Sequence, residues 1–179
     1  MKKQYHQTVR KRVKKMAKKS KFNGLMSSQF KRPNKWRLTK ALTFKTDLFE
    51  AEIELFKKNK VDLKWSSDSK ATVKDTLTVP KGYITDMASV PRAAWAFIAP
   101  FDVARGAICH DVMYEKINAV RKKVTKSEFS KMRAIADTVF LHGMEAAEPK
   151  VASWKKWSSY YAVRMFGRFA IKSSAQRKW

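Results

Sequence analysis

The chain has 179 residues with 40 Lys and Arg against 15 Asp and Glu, which gives a formal net charge of +25. Its single cysteine, Cys109, excludes a disulfide framework and a multi-cysteine zinc site, and the lack of a long apolar run predicts no transmembrane helix. The charge is uneven, because no acid precedes Asp47 and none follows Glu148. Such a chain is expected to bind a polyanion: nucleic acid, an anionic membrane or an acidic protein. The alternative is a solvated basic tail.

Residues 1–35 are predicted to form a basic arm in front of a single α+β domain over residues 36–179. The first 45 residues carry 16 Lys or Arg, and apolar residues recur among them at helical spacing. We expect the arm to be disordered in the free protein and ordered against a partner, because charge repulsion opposes helix nucleation. The residues expected to contact nucleic acid or an acidic partner are Arg10, Lys11, Arg12, Lys14, Lys15, Lys18, Lys19 and Lys21.

Residues from about 36 to 85 are predicted to form a small antiparallel sheet. Apolar and polar residues alternate from Trp36 to Phe44, with a break in phase at Ala41, which predicts a strand. A tight turn at Pro80 precedes the last short strand. Further strand candidates are residues 48–55, 61–65 and 71–79, the first of which is equally compatible with a helix.

Residues from about 89 to 171 are predicted to be helical and to cover the sheet, so that the domain is α+β. Ser89 and Pro91 suit a helix start. Thr125 and Glu128 have the spacing of a capping box, and Pro149 ends the helix that follows. The main helices are expected over residues 101–118, 128–147 and 151–171.

Two short motifs in these helices carry the residues typical of chemistry. His110, Asp111 and Tyr114 form a His-Asp-x-x-Tyr unit, and Ala136, Asp137 and Phe140 form an Ala-Asp-x-x-Phe unit. His110 and Tyr114 share one helix face, so we expect both to reach Asp137 on a neighbouring helix. A carboxylate on Nδ1 of His110 would make the imidazole a base for activating water. The alternative is a buried pair that fixes the register of the two helices.

Several ordered motifs together resemble the family known as domain of unknown function 1353, over residues from about 36 to 170. They are Val-Pro-x-Gly-Tyr-Ile-Thr-Asp-x-Ala-Ser-Val-Pro-Arg at residues 79–92, the two units above, and Trp-x3-Tyr-x-Val-Arg-x-Phe-Gly at residues 157–167. Members occur largely in tailed bacteriophages and prophages. The resemblance therefore implies a phage-encoded protein, made in the host cytoplasm and located in the virion. The arm lies outside it.

The two units are also similar to the core of the phospholipases A2. That resemblance implies His110 as the base, Asp137 as its orienter, Asp111 as a calcium ligand and Tyr114 as a second partner of Asp137. However, residues 93–105 contain no glycine where those enzymes have a calcium loop, so we expect neither calcium nor another cofactor. Asp86 is the remaining candidate metal ligand. It reads most simply as a cap or an ion-pair partner of Arg92.

The last predicted helix repeats aromatic and apolar residues every four positions, which indicates a stripe that faces the core. The alternative is a helix that lies on an anionic membrane. The stripe consists of Trp157, Tyr161, Met165 and Phe169. His142 is expected at the surface. Among the nearby cations, Arg92 and Arg105 are the candidates to stabilise an oxyanion.

Two functions are compatible with these features of the sequence. The first is a structural or accessory protein of a tailed-phage particle, docked on a head, neck or tail assembly among other phage proteins. Its basic arm would contact packaged DNA or an acidic neighbour. The second is a small hydrolase that uses the pair of His110 and Asp137 on phospholipid or cell envelope. The charge distribution favours the first, because hydrolysis has no need of a basic arm.

Overall fold

A computed structural model describes residues 20–31, 35–46, 50–67, 75–85 and 100–166. In these ranges two small antiparallel sheets occupy the N-terminal half, and most of the helical structure follows them, so the α+β class is confirmed. The strands are β1 (Lys21–Phe22), β2 (Ser28–Lys31), β3 (Lys35–Leu38), β4 (Leu42–Thr46), β5 (Lys64–Ser67), β6 (Asp75–Val79) and β7 (Ile84–Thr85). The helices are α1 (Glu50–Lys58), α2 (Pro100–Ala119), α3 (Lys126–Glu145) and α4 (Ser153–Phe166), with a 3₁₀ turn at Arg121–Lys123.

The larger sheet has the order β1-β4-β6-β5, and its inner face forms part of the core. Phe44 pairs with Leu77 across β4 and β6, and both are fully buried. Side chains alternate along a strand, so the same face carries Leu42 and Val79, which are also buried. The smaller sheet has the order β2-β3-β7, and Trp36 on β3 is registered with Thr85 on β7.

The sheets begin earlier and divide differently than the sequence pattern predicts. Residues 20–31 belong to the sheets, because β1 pairs with β4 and β2 pairs with β3. The ring of Phe22 lies 4.6 Å from that of Phe44, which anchors β1 on the core. The predicted arm boundary at residue 35 is therefore wrong for this stretch. Residues 1–19 lie outside the described residues, and so does the predicted helix start at Pro91.

The predicted strand from Trp36 to Phe44 is two strands, β3 and β4, which belong to different sheets. The break in phase at Ala41 marks the turn between them. Of the two readings for residues 48–55, the helix is confirmed from Glu50 onward. Its Ile53 and Phe56, three residues apart, face the core and are buried.

Helices α2 and α3 form an antiparallel pair that crosses at two glycines. A Cβ on Gly143 would lie 2.7 Å from Cα of Gly106, so only glycine allows the two backbones to approach this closely. The predicted capping box at the start of α3 is present, with Thr125 accepting from the Glu128 amide and Glu128 accepting from the Thr125 amide. Helix α4 packs on this pair through a second apolar cluster that includes Phe140. None of the described helices is long and apolar enough to span a membrane.

Candidate functional site

A buried carboxylate joins the three C-terminal helices at one point. Asp137 of α3 is fully buried, and its Oδ1 accepts from Tyr114 OH at 2.6 Å and from Nε2 of His110 at 2.8 Å. Its Oδ2 accepts from Nη1 of Arg164 on α4 at 2.9 Å. The predicted contacts of His110 and Tyr114 with this carboxylate are thus present. Whether any of these residues is catalytic stays a prediction.

The imidazole of His110 bonds to Asp137 through the other ring nitrogen than the sequence argument assumed. Nε2, and not Nδ1, contacts the carboxylate. Since an ionised carboxylate only accepts, Nε2 carries the proton, and in a neutral ring Nδ1 is then the basic nitrogen. The ring stacks beside Tyr114 with centroids 4.0 Å apart, and its side chain is 10% exposed. A base at Nδ1 would therefore work at the edge of a nearly closed site.

Electrostatics at this point favour a charged Asp137 and a neutral Tyr114. Burial opposes ionisation of Asp137, but the bonds from His110, Tyr114 and Arg164 outweigh it, and the pKa of Asp137 lies below its ordinary value. Burial first, and then the charge of Asp137, raise the pKa of Tyr114, so the phenol keeps its proton. The phenol donates to the carboxylate, and Nη2 of Arg133 approaches the phenol oxygen at 3.5 Å.

Asp111, the predicted metal ligand, is buried next to β7. Its Oδ2 accepts from Oγ1 of Thr85 at 3.3 Å, so one contact of this carboxylate ties α2 to the smaller sheet. Asp86 and Arg92 lie outside the described residues. Within the part of the chain that the structure describes, no group of three His, Cys, Asp or Glu side chains is placed to hold a metal ion.

Arg164 is the residue of this network that the sequence patterns did not predict. Arg105 turns away from the site, donating to the carbonyl oxygens of Gly24 and Glu148 at 3.0 and 3.2 Å. Arg164 instead brings its guanidinium to Asp137. Its place in the Val-Arg pair of the C-terminal motif was the available signal. Arg164 lies 27 residues after Asp137, so local spacing in the sequence could not predict its contact with that carboxylate.

A second polar chain is buried near the C-terminal end of α3. Oγ of Ser20 donates to Oγ1 of Thr46 at 3.2 Å, and that oxygen lies 2.9 Å from Nδ1 of His142. His142 is fully buried, so the prediction that it lies at the surface is wrong. The reason is β4, which covers this part of α3 and supplies Thr46 as a hydrogen-bond partner. These hydrogen bonds fix the point at which residue 20 enters the domain.

The outer face of α4 is apolar, which contradicts the predicted core-facing stripe. Tyr161 is 40% and Met165 is 60% exposed, while Trp157 is half-buried and Phe169 lies outside the described residues. The buried face carries Lys156 and Ser159, because Lys156 bonds to Glu145 of α3 at 2.7 Å. Polar contacts with α3 thus favour a rotation of α4 that leaves Tyr161 and Met165 outside, whereas Trp157 packs partly against the second apolar cluster.

Of the residues predicted to bind a polyanion, Lys21 alone falls among the described ones. It begins β1 and is exposed. The rest of that predicted surface, from Arg10 to Lys19, lies in the undescribed N-terminal residues.

The family model described as Protein of unknown function (DUF1353) matches residues 60–163, which is more than half of the chain. The chain belongs to this family. The matched region contains α2, α3 and most of α4, and with them Asp137, His110 and Tyr114, and it ends one residue before Arg164. A search of curated proteins and a search of solved structures found no significant match.

Proposed function

We propose that the protein is a structural or accessory component of a tailed-bacteriophage particle, docked on a head, neck or tail assembly. The observation that carries the proposal is the charge: 16 Lys or Arg in the first 45 residues, with no acid before Asp47. Self-repulsion of this size is costly unless a counter-charge is present. Packaged DNA supplies that charge, and an acidic neighbouring protein is the second candidate. The phage setting comes from the family resemblance.

Two features of the described residues support an assembly role. Both oxygens of Asp137 are engaged by side chains from α2 and α4, as expected of a group that holds three helices together. The outer face of α4 exposes Trp154, Tyr161 and Met165. Exposed apolar residues on one face are typical of surfaces that another protein covers. Membrane contact through the same face is the weaker alternative, because Lys156 and Arg164 are already paired with acids of α3.

Binding to duplex DNA as a function of salt tests the proposal. If the chain neutralises about ten phosphates, the log–log slope of affinity against salt is on the order of −9. The test variant changes four arm residues to Gln: Lys14, Lys15, Lys18 and Lys19. Its slope should be shallower by about 3 to 4. Deleting residues 1–35 would be a poor test, because it removes β1 and β2 from the sheets. Salt-independent binding by the unaltered chain would refute the DNA reading.

Hydrolysis is the second candidate function, and the observation that favours it is the 2.8 Å contact between His110 and Asp137. A carboxylate on Nε2 orients the imidazole with Nδ1 as base, and Arg164 adds a cation beside the pair. The assay is release of fatty acid from mixed phospholipid micelles, with and without calcium, using His110→Ala as the control. We expect no turnover that depends on His110. Such turnover would make the enzyme reading the primary one.

A further inference from the structure

The turn between α2 and α3 lies beside the end of α1, and together they form a surface that we call the hairpin tip. It comprises residues 57–64, the last turn of α2, the 3₁₀ turn at Arg121–Lys123 and the first turn of α3. Two surface ion pairs connect these segments. Lys58 bonds to Glu128 at 3.1 Å, and Lys116 bonds to Asp62 at 2.9 Å.

The hairpin tip carries more positive charge than its acids can balance. Its acids Asp62 and Glu128 are each paired with one lysine, and Glu54 on α1 pairs with Lys57. The remaining cations are exposed and have no acidic partner among the described residues. They are Lys60, Lys64, Arg121, Lys122, Lys123 and Lys126. The guanidinium of Arg121 packs over the ring of Phe129, 5.4 Å from the ring centre. A concentration of cations of this kind attracts a polyanion.

The chemistry of the hairpin tip fits the phosphates of duplex DNA better than unpaired bases. Binding to single strands relies on exposed aromatic rings on which bases stack. The only aromatic ring described at the tip is the half-buried Phe129, which Arg121 covers. The large exposed apolar side chains among the described residues lie elsewhere, on α4 and near β2. Contact with nucleic acid at the tip would therefore be made by the cations. They bind phosphate oxygens, and such contacts do not depend on the base sequence.

The hairpin tip and residue 20 lie at opposite ends of α3. Residue 20 enters the domain beside His142, through the bonds of Ser20 and Thr46. His142 follows Lys126 by sixteen residues on one helix, which places the two ends about 24 Å apart at 1.5 Å per residue. Apart from residues 57–59, the tip also lies inside the region that matches the family model, whereas the arm does not. The hairpin tip is therefore distant from the point at which residue 20 enters the domain.

We infer that the hairpin tip is a second DNA-binding surface, which contacts duplex phosphates independently of the arm. The inference rests on the proposed function in the form in which packaged DNA is the partner of the arm. The arm and the tip would hold either two duplex segments or two points along one segment. Either arrangement suits a protein fixed within a particle.

The test compares two double variants of the full chain that lose the same charge. Lys122→Gln with Lys123→Gln alters the hairpin tip, and Lys40→Gln with Lys81→Gln alters exposed lysines near the smaller sheet. Binding to a labelled duplex is measured by fluorescence anisotropy over a series of salt concentrations. The tip variant should have a log–log slope shallower by about 2, and the control should keep the slope of the unaltered chain. Equal melting temperatures would show that both variants fold.

Each other outcome has a distinct meaning. If the full chain binds duplex and both variants behave alike, the tip is not a binding surface, although the proposed function stands. If the full chain binds no duplex, the inference fails together with DNA as the partner of the arm, and an acidic neighbouring protein becomes the candidate partner. If the tip variant keeps its DNA affinity but loses binding to vesicles of anionic phospholipid, the surface recognises lipid, and the DNA assignment is wrong.

Discussion

Substituting Asp137 by Asn should destabilise the domain more than any other change of one polar group at this site. The carboxylate accepts three hydrogen bonds, at 2.6, 2.8 and 2.9 Å, from donors on α2 and α4. An amide offers one oxygen, so its NH₂ group must face either Arg164 or the pair of His110 and Tyr114. If the NH₂ group faces Arg164, two donors oppose each other, and if it faces the pair, the imidazole and the phenol must change from donors to acceptors. In both orientations the charge that attracts Arg164 is lost.

The expected loss of stability depends on how deeply Asp137 and Arg164 are buried. Losing a charge-assisted hydrogen bond costs about 1.5–3 kcal/mol, and breaking a buried ion pair costs about 3–5 kcal/mol. The side chain of Arg164 is 36% exposed, so water restores part of its hydrogen bonding. We therefore expect about 3 kcal/mol. For a chain of this size that lowers the melting temperature by about 6–12 °C.

Thermal unfolding followed by circular dichroism measures this effect, with Asp62→Asn as the matched control. Asp62 also forms an ion pair, with Lys116, but its side chain is 81% exposed, so the same substitution should change the melting temperature little. If the melting temperature of Asp137→Asn lies within about 2 °C of that of the unaltered chain, the hydrogen bonds of Asp137 do not hold the three helices together.

Four further results are expected. Because the pKa of Asp137 is lowered in the folded state, its contribution to stability is present above about pH 4 and lost as pH falls further, so Asp137→Asn should flatten the acid limb of a stability–pH curve. Gly143→Ala should destabilise by about 1–3 kcal/mol, and more than Gly106→Ala, whose added methyl meets its nearest atom at 3.3 Å; chemical denaturation measures both. Arg164→Gln should increase hydrogen exchange in α4 while α2 and α3 stay protected. Burial raises the pKa of Cys109 to about 12, so a thiol reagent should label it only when the domain opens.

Local patterns predicted the parts of the structure that depend on local physics. The capping box at Thr125 follows from a three-residue spacing, and the helices of the C-terminal half follow from apolar periodicity and proline positions. The contact between His110 and Asp137 was predictable because His110 and Tyr114 share one face of α2. An antiparallel neighbour then brings Asp137 to that face.

The remaining features depend on partners distant in sequence. Strand β1 has two residues, too few to show alternation, and it exists because β4 offers an edge and Phe44 a ring to pack on. The rotation of α4 was predicted wrongly, because bonds from Lys156 and Arg164 to α3 outweigh the aromatic periodicity. A four-residue period identifies a stripe, but it does not say whether the core or the outside faces that stripe.

The proposed role in a phage particle is tested most directly by the protein content of purified particles of the phage that, on this proposal, encodes the chain. Particles treated with nuclease would be irradiated to cross-link protein to DNA and then analysed by mass spectrometry. The account predicts that the protein is present in fixed copy number and that its cross-links to DNA map to the arm and the hairpin tip. Its absence from particles, while it accumulates in the infected cell, would contradict the account.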